Sequence, residues 1–189
     1  MERTVAQGAP KLTYEDLALY PEDRKRHELI DGVHFVTPSP NTRHQVIAFN
    51  LTLAVGELVR RHRLGRLFFA PFDVVLSPHD VVEPDLIFVS ASRAEVLTAA
   101  HAVAAPDLVI EILSPSTRRR DEVLKRDLYE ARGVAEYWLV DPEAETVKVL
   151  RRAGERFGRP RLLSLRDGDV IESAVIPGLE LPLATVFEE

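Results

Sequence analysis

The sequence predicts an α/β domain that begins with a short helix and a hairpin, and three observations carry that expectation. Three runs, EPDLIFVS (83–90), DLVIEILS (107–114) and AEYWLVDP (135–142), are apolar almost throughout, as strands covered on both faces are. Between and around them, apolar residues recur at helical spacing, first at Ile47, Leu51, Ala54, Val55 and Leu58. The 189 residues, 46% of them hydrophobic, suffice for one core.

Residues 1–12 read as a flexible arm and 13–189 as a single domain. Thr13 and Asp16 form a capping box that opens a helix running to Tyr20, where Pro21 ends it. In HELIDGVHFVT the Asp31-Gly32 pair separates two alternating runs, a hairpin signal. TPSPN (37–41) is a loop, and a long helix follows from about Thr42 to Leu64, with Gly65 as its stop and the basic string 60–63 solvated at its C-terminal end. RLFFAPFDVVL and VVEPDLIFVS read as two strands joined by a turn at 77–80. The Ala-rich stretch 91–105 gives a short helix and a connection. Ser114-Pro115-Ser116-Thr117 breaks the next strand and caps a helix bearing Asp121, Lys125 and Tyr129 at i, i+4 and i+8, which ends at Gly133. TVKVLRR pairs with AEYWLVDP across a turn at Pro142, and Tyr137 and Trp138 are core residues. Short strands and loops fill 155–176, and the tail PGLELPL packs back on the core.

Several function classes are excluded or disfavoured. A net charge of −6 argues against a basic surface that wraps nucleic acid indiscriminately, although five basic residues against two acidic ones between 115 and 126 leave a local basic stretch. Its rival reading is a solvated helix face. No apolar run approaches the roughly eighteen residues of a membrane span, and the polar start lacks the apolar core of a signal peptide. No membrane association and a cytoplasmic location are therefore expected. Without cysteine there is no disulfide, thiolate zinc site or thiol nucleophile.

The chemistry centres on carboxylates set in buried strands. An unpaired buried carboxylate is costly, so it neutralises, pairs with a cation or binds a metal. Asp85 follows Pro84 at the head of Leu86-Ile87-Phe88-Val89, and Glu111 lies within Leu108-Val109-Ile110 and Ile112-Leu113. If their strands are neighbours, about 4.8 Å apart, the two acids share one hard cation, Mg²⁺ first and Mn²⁺ as a substitute. The Lys125 ammonium then positions a water or stabilises developing charge. The alternatives stand beside this: Asp121 and Lys125 as a surface pair, Asp85 as a strand cap, Glu111 as a partner of Arg24, Arg26 or Lys125. Glu28, in the hairpin, is a solvent-facing residue, an arginine partner or an accessory to the site. His44, in the first turn of the long helix, is structural or a phosphate-facing donor. No glycine-rich phosphate loop, GxSxG or HExxH motif occurs, and no organic cofactor is implied.

HELIDG, His44 at a helix start, EPDLIFVS, DLVIEILSPST, the spaced Asp121, Lys125 and Tyr129, and GVAEYWLVDP together resemble the Uma2 family of restriction endonuclease-like proteins, over nearly the whole chain. The resemblance implies a PD-(D/E)XK nuclease fold, a mixed central sheet flanked by helices, and a Mg²⁺-dependent endonuclease acting on DNA. It implies Asp85 and Glu111 as metal ligands, Ile112 as a further ligand through its backbone carbonyl, and Glu28 near the cluster. The signature lysine would stand at Leu113; the family places it on the following helix, where Lys125 matches. Duplex cleavage favours a homodimer. The alternative is a non-catalytic nucleic-acid-binding or regulatory module that keeps the fold.

Overall fold

The computed structural model describes residues 10–20, 23 and 25–189. Thr13 caps helix α1 (Tyr14–Leu17) with the reciprocal capping box in place. Strands β1 (Arg26–Ile30) and β2 (Val33–Thr37) form the hairpin, turning through Asp31 and Gly32, which both have positive φ (52° and 72°). Helix α2 (Thr42–His62) begins at Asn41, whose side chain accepts the His44 N–H at 2.9 Å. The left-handed residue that ends it is Arg63 (φ 54°), not Gly65 as expected. Gly65 instead opens strand β3 (Gly65–Phe69), where a Cβ would stand 2.1 Å from the Val89 carbonyl oxygen, so close strand approach requires the glycine.

The two strands expected over 66–76 and 81–90 are each divided. Strands β3, β4 (Val74–Ser77), β5 (Asp80–Val82) and β6 (Leu86–Ser90) are separate, with Pro71 and Pro84 in the breaks, where a residue without an N–H interrupts the ladder. The turn at 77–80 is where it was expected, but β4 and β5 join the hairpin in a four-stranded sheet of order β2-β1-β5-β4. A 3₁₀ turn (Ala91–Val96) leads to β7 (Leu108–Ile112). The following helix is irregular: a π-helical turn, Arg120–Lys125, runs into α3 (Arg126–Arg132), which Gly133 ends in a left-handed conformation. Ser114 starts it through its carbonyl, which accepts from the Thr117 and Arg118 N–H groups.

Strands β8 (Glu136–Asp141), β9 (Thr146–Ala153), β10 (Arg156–Phe157) and β11 (Arg161–Ser164) complete the large sheet, of order β10-β9-β8-β7-β6-β3 with β11 also on β9. It is mixed: β7 and β8 pair in parallel across the α3 crossover, and β6 is antiparallel to β7. Strands β12 (Val170–Glu172) and β13 (Glu180–Pro182) form a small ladder before α4 (Leu183–Val186).

Strand alternation divides the core. Leu86, Phe88, Ile110 and Trp138 meet Ile47, Leu51, Val55 and Val59 of α2. Ile87, Val109, Tyr137 and Leu139 face the other way, toward Tyr129 of α3 and Ile30, Val74 and Val82 of the small sheet. Glu111, two residues on from Val109, belongs to this second layer. Residues 1–9 of the expected arm lie outside the described residues, as do Pro21 and Arg24. Leu12 is seated on the hairpin, its N–H donating to the Gly32 carbonyl at 3.1 Å, and Lys11 pairs with Asp31. Among the described residues no helix is long and apolar enough to cross a membrane.

Candidate active site

The β6 and β7 register (Leu86 opposite Ile110) carries Asp85 to the end of β7, where its Oδ2 accepts the Ile112 N–H at 2.7 Å. Asp85 and Glu111 are therefore brought to the same sheet end. A strand residue turns its N–H and C=O to one side, so the Ile112 carbonyl is directed toward the Asp85 side as well. Arg26 Nη1 bonds Asp85 Oδ1 at 2.6 Å, and His44 Nε2 stands 3.2 Å from Oδ2. Hairpin, sheet and α2 thus converge on one carboxylate. Burial alone raises the Asp85 pKa, but the His44 hydrogen bond, the Arg26 charge and the Ile112 amide outweigh it and hold the carboxyl down to about 2.

Lys125 is enclosed rather than surface-paired. Its Nζ lies 2.7 Å from Glu28 Oε1, 2.9 Å from Glu111 Oε1 and 3.6 Å from Asp121 Oδ1. All four residues are buried, none more than 2% exposed. The π-helical turn carries Asp121 and Lys125 together at its two ends, and such turns recur at functional sites. One turn later Tyr129 donates its hydroxyl to Glu111 Oε1 at 2.8 Å. Glu28 also accepts the Glu83 N–H at 3.1 Å and faces Arg120 Nη2 at 3.5 Å.

Four carboxyl groups, Glu28, Asp85, Glu111 and Asp121, meet three permanent cations, Arg26, Arg120 and Lys125. One proton must be kept for the cluster to be neutral. Burial, with the Lys125 charge opposing it and the Asp121, Asp85 and Glu28 charges adding to it, pushes Glu111 up to about 8. Burial also raises Asp121, against Lys125. Glu28 goes the other way: burial is overcome by the Lys125 and Arg120 charges, and its pKa falls. Lys125 is raised because the three acids outweigh its desolvation. Glu83, beside the cluster, is pushed to about 7 by burial and by the Asp73 and Glu28 charges.

Arg26, Arg120, Tyr129 and Thr37 complete the site: Arg26, weighed as a partner of Glu111, pairs with Asp85 instead, Tyr129 lies on the helix face expected but had no role assigned, and Arg120 and Thr37 were not chosen from the sequence. Arg26 stands two residues before Glu28 on β1, so strand alternation put it on the same face. Arg120 was hidden inside the basic run; its Nη2 donates to Thr37 Oγ1 at 2.5 Å and its guanidinium lies over the Phe35 ring.

A cleft of about 990 Å³ opens between α2, the hairpin and residues 69–73, and Asp85, Arg26 and His44 line it. Glu111 and Lys125 are enclosed beyond them. Asp85 and Glu111 supply hard carboxylate oxygens, the donors Mg²⁺ takes, and that ion commonly uses one or two carboxylates with waters and substrate phosphate for the rest. Asp121 Oδ1 is buried without a hydrogen-bond partner, a further oxygen suited to a cation. Among the described residues no three His, Asp or Glu side chains form an array that could itself hold an ion. The Asp85 and Glu111 carboxylates are thus of the oxygen-donor type that Mg²⁺ takes, and each is already paired within the protein.

The mixed sheet flanked by helices is a nuclease-like fold. A crystal structure described as "a putative nuclease belonging to DUF820", from Anabaena variabilis, superposes with a TM-score of 0.79 at 22% identity, covering 93% of this chain and 97% of that one. At that identity the likeness is one of fold. The Uma2 family, described as "Putative restriction endonuclease", matches residues 13–184, and the chain belongs to it. No curated protein matches the sequence.

Proposed function

We propose that this chain is a divalent-metal-dependent endonuclease that hydrolyses phosphodiester bonds in DNA, with Asp85 and Glu111 as the acids that hold Mg²⁺ or Mn²⁺ and Lys125 as the adjoining ammonium. The observation that carries the reading is Lys125 Nζ, buried 2.9 Å from Glu111 at the sheet end where Asp85 also stands. An ion bound there would acidify a water and neutralise charge on a phosphoryl oxygen. Lys125 orients that water and, with Tyr129, fixes the Glu111 carboxylate. Arg26 and the Ile112 N–H hold Asp85 ionised, and Glu28 shares the Lys125 charge so that the ammonium stays protonated. His44 and Asp121 border the acids as accessories. Cutting both strands of a duplex favours two such sites and so a homodimer; cutting an unpaired strand needs one.

One observation favours the second reading, a nucleic-acid-binding module without chemistry. Asp85 is already satisfied by Arg26, His44 and the Ile112 amide, and Glu111 by Lys125 and Tyr129. Incubation of plasmid and single-stranded DNA with Mg²⁺ or Mn²⁺ decides between them. Cleavage by the wild type, abolished in Glu111→Ala and Lys125→Ala, is expected; DNA binding without cleavage supports the second reading, and cleavage undiminished in both variants defeats the site assignment.

A further inference from the structure

The cleft carries two large aromatic side chains that the core does not use. Phe49 on α2 is 66% exposed and Phe69 at the end of β3 is 62% exposed, and both line the same space as Asp85. On α2, Gln45, Ala48, Phe49 and Thr52 all line the cleft, at the i, i+3, i+4, i+7 spacing of one helix face. That helix is otherwise packed through the stripe Ile47, Leu51, Val55 and Val59, with Ala48 at its margin, so among the described residues the Phe49 ring is left open to the cleft.

Charge and size narrow the occupant. Among the described residues around the cleft, Lys25 and Arg26 are outnumbered by Asp23, Asp73, Glu83 and Asp85, and the chain is acidic as a whole. A surface of that kind does not neutralise a long run of phosphates, which is how a groove tracks a duplex. A volume of about 990 Å³ is that of a small-ligand site, room for a base or two and not for the body of a double helix. Two exposed rings beside so few cations suit groups with π faces rather than a run of phosphates, and unstacked bases are such groups. A polar atom without a partner borders the same space: His44 is buried, 6% exposed, its Nε2 faces Asp85 and its Nδ1 has no hydrogen-bond partner among the described residues, so an imidazolium there would offer Nδ1–H to a phosphate. His44 sits in the first turn of the 21-residue α2; that turn contains no acidic side chain, and beyond the His44 N–H taken by Asn41 the positive end of the helix favours an anion.

We propose that the cleft receives an unpaired nucleic-acid segment, with bases stacked on Phe49 and Phe69 and one phosphate at the start of α2 beside His44, which leads the backbone to Asp85. This rests on the nuclease reading for its purpose, and its test does not. Fluorescence anisotropy in EDTA compares a labelled eight-nucleotide DNA strand, the same strand in RNA, the same sequence as a duplex, and an abasic strand of equal length. The unpaired strand is expected to bind at least about tenfold more tightly than the duplex and the abasic strand, and Phe49→Ala and Phe69→Ala are each expected to weaken it by roughly five- to 150-fold, the range for loss of one stacked base. Both side chains are exposed, so unchanged melting temperatures establish that the variants are folded. A preference between the DNA and RNA strands names the natural source. Equal affinity for duplex, equal affinity for the abasic strand, or indifference to both substitutions overturns the inference. So does a change in sedimentation of the two variants without a change in strand binding, which would assign the patch to a second copy of the chain. Strand binding without metal-dependent cleavage defeats the nuclease reading alone; duplex cleavage undiminished in Phe49→Ala and Phe69→Ala defeats this inference alone.

Discussion

Replacing Lys125 with methionine keeps most of the side-chain volume and removes the charge. In the native site that charge lies 2.7 Å from Glu28, 2.9 Å from Glu111 and 3.6 Å from Asp121, all buried. Arg120, 3.5 Å from Glu28, compensates one of the three and leaves Glu111 and Asp121 facing each other's charge. Breaking a buried ion pair from one side costs about 3–5 kcal/mol, a large share of the roughly 5–15 kcal/mol that holds a domain together. For a domain of this size that corresponds to a fall in melting temperature of roughly 6–20 °C, at about 2–4 °C per kcal/mol. The loss is expected to be largest near pH 8 and to shrink toward pH 5.5, where the carboxyls can be protonated instead. Urea denaturation of wild type and Lys125→Met at both pH values measures it. A cost below about 1 kcal/mol at pH 8, against the 3–5 kcal/mol of a broken buried pair, or an equal cost at both pH values, would refute the claim that Lys125 neutralises this cluster.

The wild type is itself expected to lose stability as pH rises between about 5 and 8. Glu111, raised from 4.5 to about 8, binds a proton in the folded state that the unfolded chain has released, so its contribution is complete below 4.5 and is lost through 8. At its steepest this amounts to roughly 1.4 kcal/mol per pH unit for one proton, read from urea melts at constant ionic strength. Asp85 acts in the opposite sense, losing its contribution as pH falls from 3.8 through about 2, below that window. A third expectation concerns Glu136, which is fully buried and accepts from Trp138 Nε1 at 2.6 Å, Arg151 Nε at 3.2 Å and the Ala174 N–H at 2.7 Å. Glu136→Ala strands those donors and is expected to cost about 3–5 kcal/mol and to shift the fluorescence of the single tryptophan, while metal binding below the melting transition is unchanged; an unshifted spectrum would count against the assignment.

Much of the fold was legible because its signals are local. The Asp31-Gly32 turn, the stripe from Ile47 to Leu58, and the apolar β7 and β8 each announce themselves within a dozen residues. The division of residues 66–90 between two sheets was not legible, since periodicity identifies a strand without naming its partner. Pro71 and Pro84 marked the breaks but not the destination of each half. The meeting of Asp85 with the Glu111 strand was legible where a charge interrupts an apolar run. Lys125 was left open because its i−4 acid fits an exposed pair equally well, and only the packing of the hairpin over the crossover buries it. Glu136 was missed at a strand start, although its i+2 neighbour Trp138, on the same face and with an indole N–H to satisfy, was a usable signal.

Asp85 and Glu111 are proposed to seat one divalent ion between them. Calorimetric titration of Mn²⁺ into wild type and Asp85→Asn at pH 7.5 addresses it without relying on cleavage. One ion per chain in the wild type, with the heat lost in Asp85→Asn while that variant stays folded, is the expected result. An absent heat in the wild type, or the same isotherm in both proteins, would contradict it.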